Sequence, residues 1–129
     1  FSSKPNQGAA SFDLTSAYQG QAEKVIRSCL FDRDNHSITI TDSISSPEYS
    51  VRWGIVTSAK IEIDGKTAIL KKAGKQLRLT RNDKHGGSWK IIDAKPPMDI
   101  ENQNKGKRIL AFTAPAEKEL NLSVTLARP

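Results

Sequence analysis

From Glu23 onward the apolar residues of this chain recur with a period of two, and no window of helical length keeps the i, i+3, i+4, i+7 spacing of an amphipathic helix. A period of two puts successive side chains on opposite faces of an extended strand, so the chain is restricted to all-β solutions. Nine strands can be placed. Lys24 to Phe31 comes first; the Asp34-Asn35 turn leads to His36 to Thr41, where Ile38 and Ile40 alternate with Ser37, Thr39 and Thr41. Tyr49 to Thr57 sets Val51, Trp53 and Ile55 on one face, with Trp53 expected in the core. Lys60 to Ile63 and Lys66 to Lys71 flank Asp64-Gly65, which predicts a hairpin with a type I′ turn. Gln76 to Arg81, Trp89 to Ala94, Lys107 to Thr113 and Glu119 to Ala127 complete the set, and Lys95 to Gly106 is a polar connection broken by Pro96-Pro97. Eight or nine short strands with Gly and Pro punctuation predict an antiparallel β-sandwich with little or no helix.

At 129 residues the chain has the size of one domain. Residues 1 to 11, rich in Ser, Gly, Asn, Gln and Ala without periodicity, read as an irregular lead-in or linker, and residues 12 to 129 as a single sandwich domain. No run approaches the ~20 apolar residues of a membrane span, and the start Phe1-Ser2-Ser3-Lys4-Pro5 lacks a signal-peptide pattern. A chain that opens on Phe1 instead of Met is expected to be part of a longer one.

The net charge of +6 is unevenly placed. Residues 1 to 64 hold six basic and eight acidic side chains, net −2; residues 65 to 129 hold fourteen and six, net +8. Attraction to a polyanion is therefore a property of the second half. Its basic set, Lys66, Lys71, Lys72, Lys75, Arg78, Arg81, Lys84 and Lys90, is interleaved with His85 and Trp89. Lys71, Lys72, Arg78, Lys84, His85, Trp89 and Lys90 are the candidate substrate-binding residues: cations would pair with sulfate or carboxylate, and Trp89 would stack on a sugar ring. A solvated, lysine-rich sheet face is the commoner use of such residues.

Catalytic constellations are thin. The two histidines, His36 and His85, have no partner at metal-ligand spacing, so no metal or cofactor is expected in this segment; His85, in a Gly-Gly loop, is the one expected to be exposed. The acidic pairs Asp32/Asp34 and Glu62/Asp64 border turns, where carboxylates serve local hydrogen bonds. The single cysteine, Cys29, excludes an internal disulfide and reads as a buried, inert thiol. No Gly-rich phosphate loop opens a helix, and eight aromatics without an RNA-binding motif disfavour nucleic acid.

Taken in order, Asp13-Leu14-Thr15-Ser16-Ala17-Tyr18, Arg27, Asp42, Trp53-Gly54-Ile55-Val56-Thr57 and Gly65-Lys66-Thr67-Ala68-Ile69-Leu70 resemble the C-terminal β-sandwich region of heparinase II/III-like polysaccharide lyases. The resemblance covers roughly residues 13 to 80. It implies a secreted or periplasmic parent that cleaves acidic, uronic-acid-containing polysaccharide by β-elimination, with the catalytic residues on a helical domain upstream. It assigns structural roles to Asp13, Tyr18, Arg27, Trp53 and Gly65, and no catalytic residue. Members often carry His where this chain has Val56. The alternative is a stand-alone glycosaminoglycan-binding sandwich.

Overall fold

The structure, a computed structural model, describes residues 2–93 and 106–129. The described residues form eleven strands: β1 (Ser2–Lys4), β2 (Gln7–Asp13), β3 (Lys24–Asp32), β4 (Ser37–Ser45), β5 (Val51–Thr57), β6 (Lys60–Asp64), β7 (Thr67–Lys72), β8 (Lys75–Arg81), β9 (Lys90–Asp93), β10 (Arg108–Ala114) and β11 (Glu119–Ala127). One turn of 3-10 helix, Thr15–Tyr18, stands between β2 and β3. Eight strands make one sheet in the order β1-β2-β3-β4-β11-β8-β7-β6, and three make the other in the order β5-β10-β9. All pairings are antiparallel. The all-β, two-sheet architecture is the one the alternation predicts. The Pro96-Pro97 connection expected over Lys95 to Gly106 falls outside the described residues, Gly106 apart.

The inner faces follow from register. Val25, Ile44 and Leu120 lie in one row across β3, β4 and β11; Val124 opposes Arg81, and Leu126 opposes Leu79, across β11 and β8. The small sheet answers with Trp53, Leu110, Phe112 and Ala114. The residues between the inward ones are mainly polar, as in Thr39 opposite Thr125 and Ser43 opposite Asn121, so one face of the large sheet is wet. At the centre Trp53, Trp89 and Phe112 form an aromatic trio with ring centroids 5.1 to 5.9 Å apart. Each such pair contributes about 0.5–1.5 kcal/mol beyond the area it buries.

Three sequence expectations need correction. Residues 1 to 11 are not an irregular lead-in: β1 and β2 form a hairpin that extends the large sheet, with β2 paired to β3 along its whole length, Gln7 with Asp32 through to Asp13 with Ile26. Gly8, Ala9, Ala10 and Ser11 are too small to display an alternation, so the strand is held by its backbone ladder and left no pattern to read. The β6–β7 turn is centred one residue later than Asp64-Gly65. Asp64 pairs with Thr67, leaving Gly65-Lys66 as the loop, and only Gly65 has positive φ, at 58°. That is the pattern of a type II′ turn, which wants Gly at its first central position. Cys29 is half-buried, since the small sheet does not reach it.

Candidate functional site

The basic residues of the second half are dispersed by the fold. Lys71 and Arg78 lie on the outer face of the large sheet, where Lys71 Nζ is 2.9 Å from Glu62 Oε2 and Arg78 is exposed beside Ile69. Lys72 and Lys75 flank the β7–β8 turn on the opposite face, and the Lys72 ammonium donates to Ser58 Oγ. Lys90 is exposed on β9, in the other sheet, opposite Ala111. Lys84 is largely exposed, 3.6 Å from Glu117.

His85 and Trp89 stand otherwise than expected. Trp89 is 2% exposed, its indole N–H donating to Lys66 O at 2.9 Å, so it has no free ring face for a sugar. His85 is buried: its backbone N–H donates to Asp83 Oδ2 at 3.2 Å, its Nδ1 lies 3.6 Å from Glu117 Oε1, and its Nε2 is enclosed without a partner. His85 is held by an ion pair invisible to the sequence reading. Arg81 continues the Leu77, Leu79 alternation inward and forks onto Asp83, Nε to Oδ1 at 3.0 Å and Nη2 to Oδ2 at 2.8 Å. Its Nη1 donates to Gly87 O at 2.9 Å, and the guanidinium carbon sits 4.0 Å from the Phe112 ring centroid. The Gly-Gly loop is thus tied to the core, which is why His85 is not free.

A cleft with an apolar base lies elsewhere, between the inner face of β3 and β4, the 3-10 turn, and β5 with the residues leading into it. It encloses about 410 Å³. Its buried apolar lining is Val25, Ile44, Trp53 and Leu122; its charged pair is Arg27 and Asp42. Tyr18 and Tyr49, 44% and 72% exposed, add aromatic surface. Strand β5 is an edge strand, paired only with β10, so the backbone of Val51–Thr57 has an open side.

Local chemistry fixes this geometry. Asp13 Oδ1 accepts the Thr15 N–H at 3.0 Å, Thr15 Oγ1 accepts the Val25 N–H at 3.1 Å, and the Leu14 N–H donates to Val25 O at 2.8 Å. These bonds pin the 3-10 turn to the start of β3 and set Tyr18 at the cleft; the bonds from Thr15 also hold the Asp13 carboxyl below its usual range. Arg27 and Asp42 are directly opposed on β3 and β4, where they form a two-pronged pair, Nε to Oδ1 at 2.7 Å and Nη2 to Oδ2 at 2.9 Å. Asp42 is buried and the Arg27 side chain is 40% exposed. Hydrogen bonding to Asp42, against the opposing cost of burial, holds the Arg27 guanidinium above its already high ordinary value, so it is a permanent cation.

Tyr18, Arg27, Asp42, Trp53 and Gly54, which the sequence marks only as members of the ordered set behind the resemblance, therefore converge on one cleft. Their convergence depends on pairing β3 with β4 and laying β5 over both, which no local pattern encodes. Among the described residues no three His, Cys, Asp or Glu side chains are grouped to hold a metal ion. Among the same residues no helix is long and apolar enough to cross a membrane.

No protein-family model and no curated sequence matches the chain. Among solved structures it is similar to the heparan sulfate lyase HepC from Pedobacter heparinus, with a TM-score of 0.69 at 11% sequence identity over 98% of this chain. The chain spans 20% of that protein's length. The likeness is one of fold, and it extends well beyond residues 13 to 80, over almost the whole of this chain.

Proposed function

We propose that this chain is the non-catalytic C-terminal β-sandwich of a heparinase II/III-like lyase, secreted or periplasmic, that cleaves acidic, uronic-acid-containing polysaccharide by β-elimination. The observation that carries the reading is the shared fold with a heparan sulfate lyase of which this chain spans a fifth. A second observation supports it. Phe12, Phe31 and Ile38, 52%, 42% and 39% exposed, share the inner face of the large sheet beyond the reach of the three-stranded one. An apolar face of this kind is what a sandwich presents to a further domain.

β-Elimination next to a uronate needs a group that neutralises the carboxylate and so acidifies the α-proton, a base for that proton, and an acid for the glycosidic oxygen. The upstream helical domain would supply the base and acid. This chain would support that domain and help position the polymer, which lowers the entropic cost of reaching the reactive geometry.

The test is the gene and its product. A large helical domain is expected upstream of Phe1, and the full product is expected to generate unsaturated-uronide absorbance from an acidic polysaccharide where residues 1 to 129 alone do not. Turnover by the 129-residue chain would overturn the siting of the chemistry. A reading frame opening immediately before Phe1 would overturn the lyase assignment in favour of a stand-alone glycosaminoglycan-binding module.

A further inference from the structure

We infer that the cleft between β3, β4 and β5 is a saccharide subsite that receives one acidic sugar of the polymer, with Arg27 as the carboxylate clamp and Tyr49 as the ring-contacting aromatic. The inference rests on the polysaccharide reading for its ligand class and on the cleft's geometry for its place. A volume of about 410 Å³ falls within the ~300–1,000 Å³ usual for small-ligand sites, and the lining has the usual division into an apolar base and a few converging polar groups.

Arg27 is the centre of the argument. A guanidinium carries five N–H donors in a fixed plane, and the Asp42 fork engages only Nε and one Nη2 proton. The Nη1 edge has no partner among the described residues, on a side chain 40% exposed to the cleft side. Asp42, buried and opposed in register, holds that plane, so a carboxylate arriving at Nη1 meets a donor already oriented. Tyr49, 72% exposed, offers a ring face with little to lose on binding, and the open edge of β5 offers backbone donors and acceptors to sugar hydroxyls. A nucleic acid strand is less suited: the exposed aromatics here are two tyrosines flanking a single pocket, not a row of stacking platforms.

The chain has two tryptophans, hence two indole N–H resonances. Trp53 lines the cleft and its Nε1 has no partner; Trp89 Nε1 is bonded to Lys66 O away from it. In a ¹⁵N–¹H titration of the 129-residue chain at low salt, a heparin-derived or a hyaluronan tetrasaccharide is expected to shift the Trp53 indole and the Gly54 amide and leave the Trp89 indole in place. The carboxyl-reduced hyaluronan tetrasaccharide is expected to bind at least tenfold more weakly. Tyr49→Ala, on an exposed side chain, and Arg27→Lys, which keeps the charge and loses the fork, are each expected to weaken binding tenfold or more, whereas Lys71→Ala with Arg78→Ala leaves it unchanged. No Trp53 shift with either tetrasaccharide overturns the inference, as do shifts confined to the Lys71/Arg78 face or tighter binding of a single-stranded oligonucleotide. Binding in the cleft without an upstream helical domain in the gene would leave the subsite standing and sink the lyase assignment; an upstream domain without binding would do the reverse.

Discussion

Arg81 and Asp83 are costly to remove singly. Their side chains are 1% and 0% exposed, and each is fully engaged only while the other is present. Arg81→Met leaves the Asp83 carboxylate buried without its cation and is expected to cost about 3–5 kcal/mol in urea unfolding, while adding Asp83→Leu to it recovers much of that loss. The pair also sets an acid limit. Burial pushes the Asp83 carboxyl up, and the Arg81 hydrogen bond and charge, with the His85 N–H and Lys66, outweigh it and leave the group below its ordinary value. A carboxylate depressed in the folded state stabilises fully above its unfolded pKa of about 3.9 and ceases to do so as pH falls through the folded one. Thermal midpoints followed from pH 5 to pH 2 are expected to fall less in Asp83→Asn than in the parent, from a lower starting point. The sequence carried one sign of this: Arg81 occupies the inward phase of Leu77 and Leu79. What it could not show is that Asp83, two residues on and past the end of β8, turns back to meet it.

At the level of elements, the strands with one wet face were legible because their polar and apolar residues alternate, as in β4, β8 and β11. Where side chains are small the pattern fails, and β2 is known only through its ladder to β3. Turns were legible as places and not as geometries. The β7–β8 connection is a two-residue loop, Ala73-Gly74, with φ of 51° and 74°. Positive φ at both centres is the type I′ pattern, and Ala pays for it through its Cβ, by roughly 1–2 kcal/mol against a right-handed conformation. Ala73→Asn, whose side chain tolerates that region, is expected to stabilise the protein by about 0.5–1 kcal/mol, read as a higher melting temperature. An unchanged or lowered midpoint would show that the turn is not held in this conformation in solution.

Among the described residues the two sheets are unequal: eight strands face three, and the surplus inner face carries Phe12, Phe31 and Ile38. Because these rings are already half in water, Phe12→Ser with Phe31→Ser is expected to change the unfolding free energy by less than about 1 kcal/mol while reducing binding of a hydrophobic dye and self-association on a sizing column. A large loss of stability would mean that the face is covered. The candidate site was legible only as a list: Tyr18, Arg27, Asp42 and Trp53 could be picked out in order, yet the cleft exists because distant segments pair and a second sheet lies over them. The strand order has one more consequence. β4 and β8 do not touch; β11 stands between them and joins the β1–β4 meander to the β6–β8 meander. β11 is the last of the eleven in chain order, and the β4 edge of one meander and the β8 edge of the other have no partner without it. Neither can close on the other correctly until Glu119–Ala127 is in place. The large sheet is then completed from its middle.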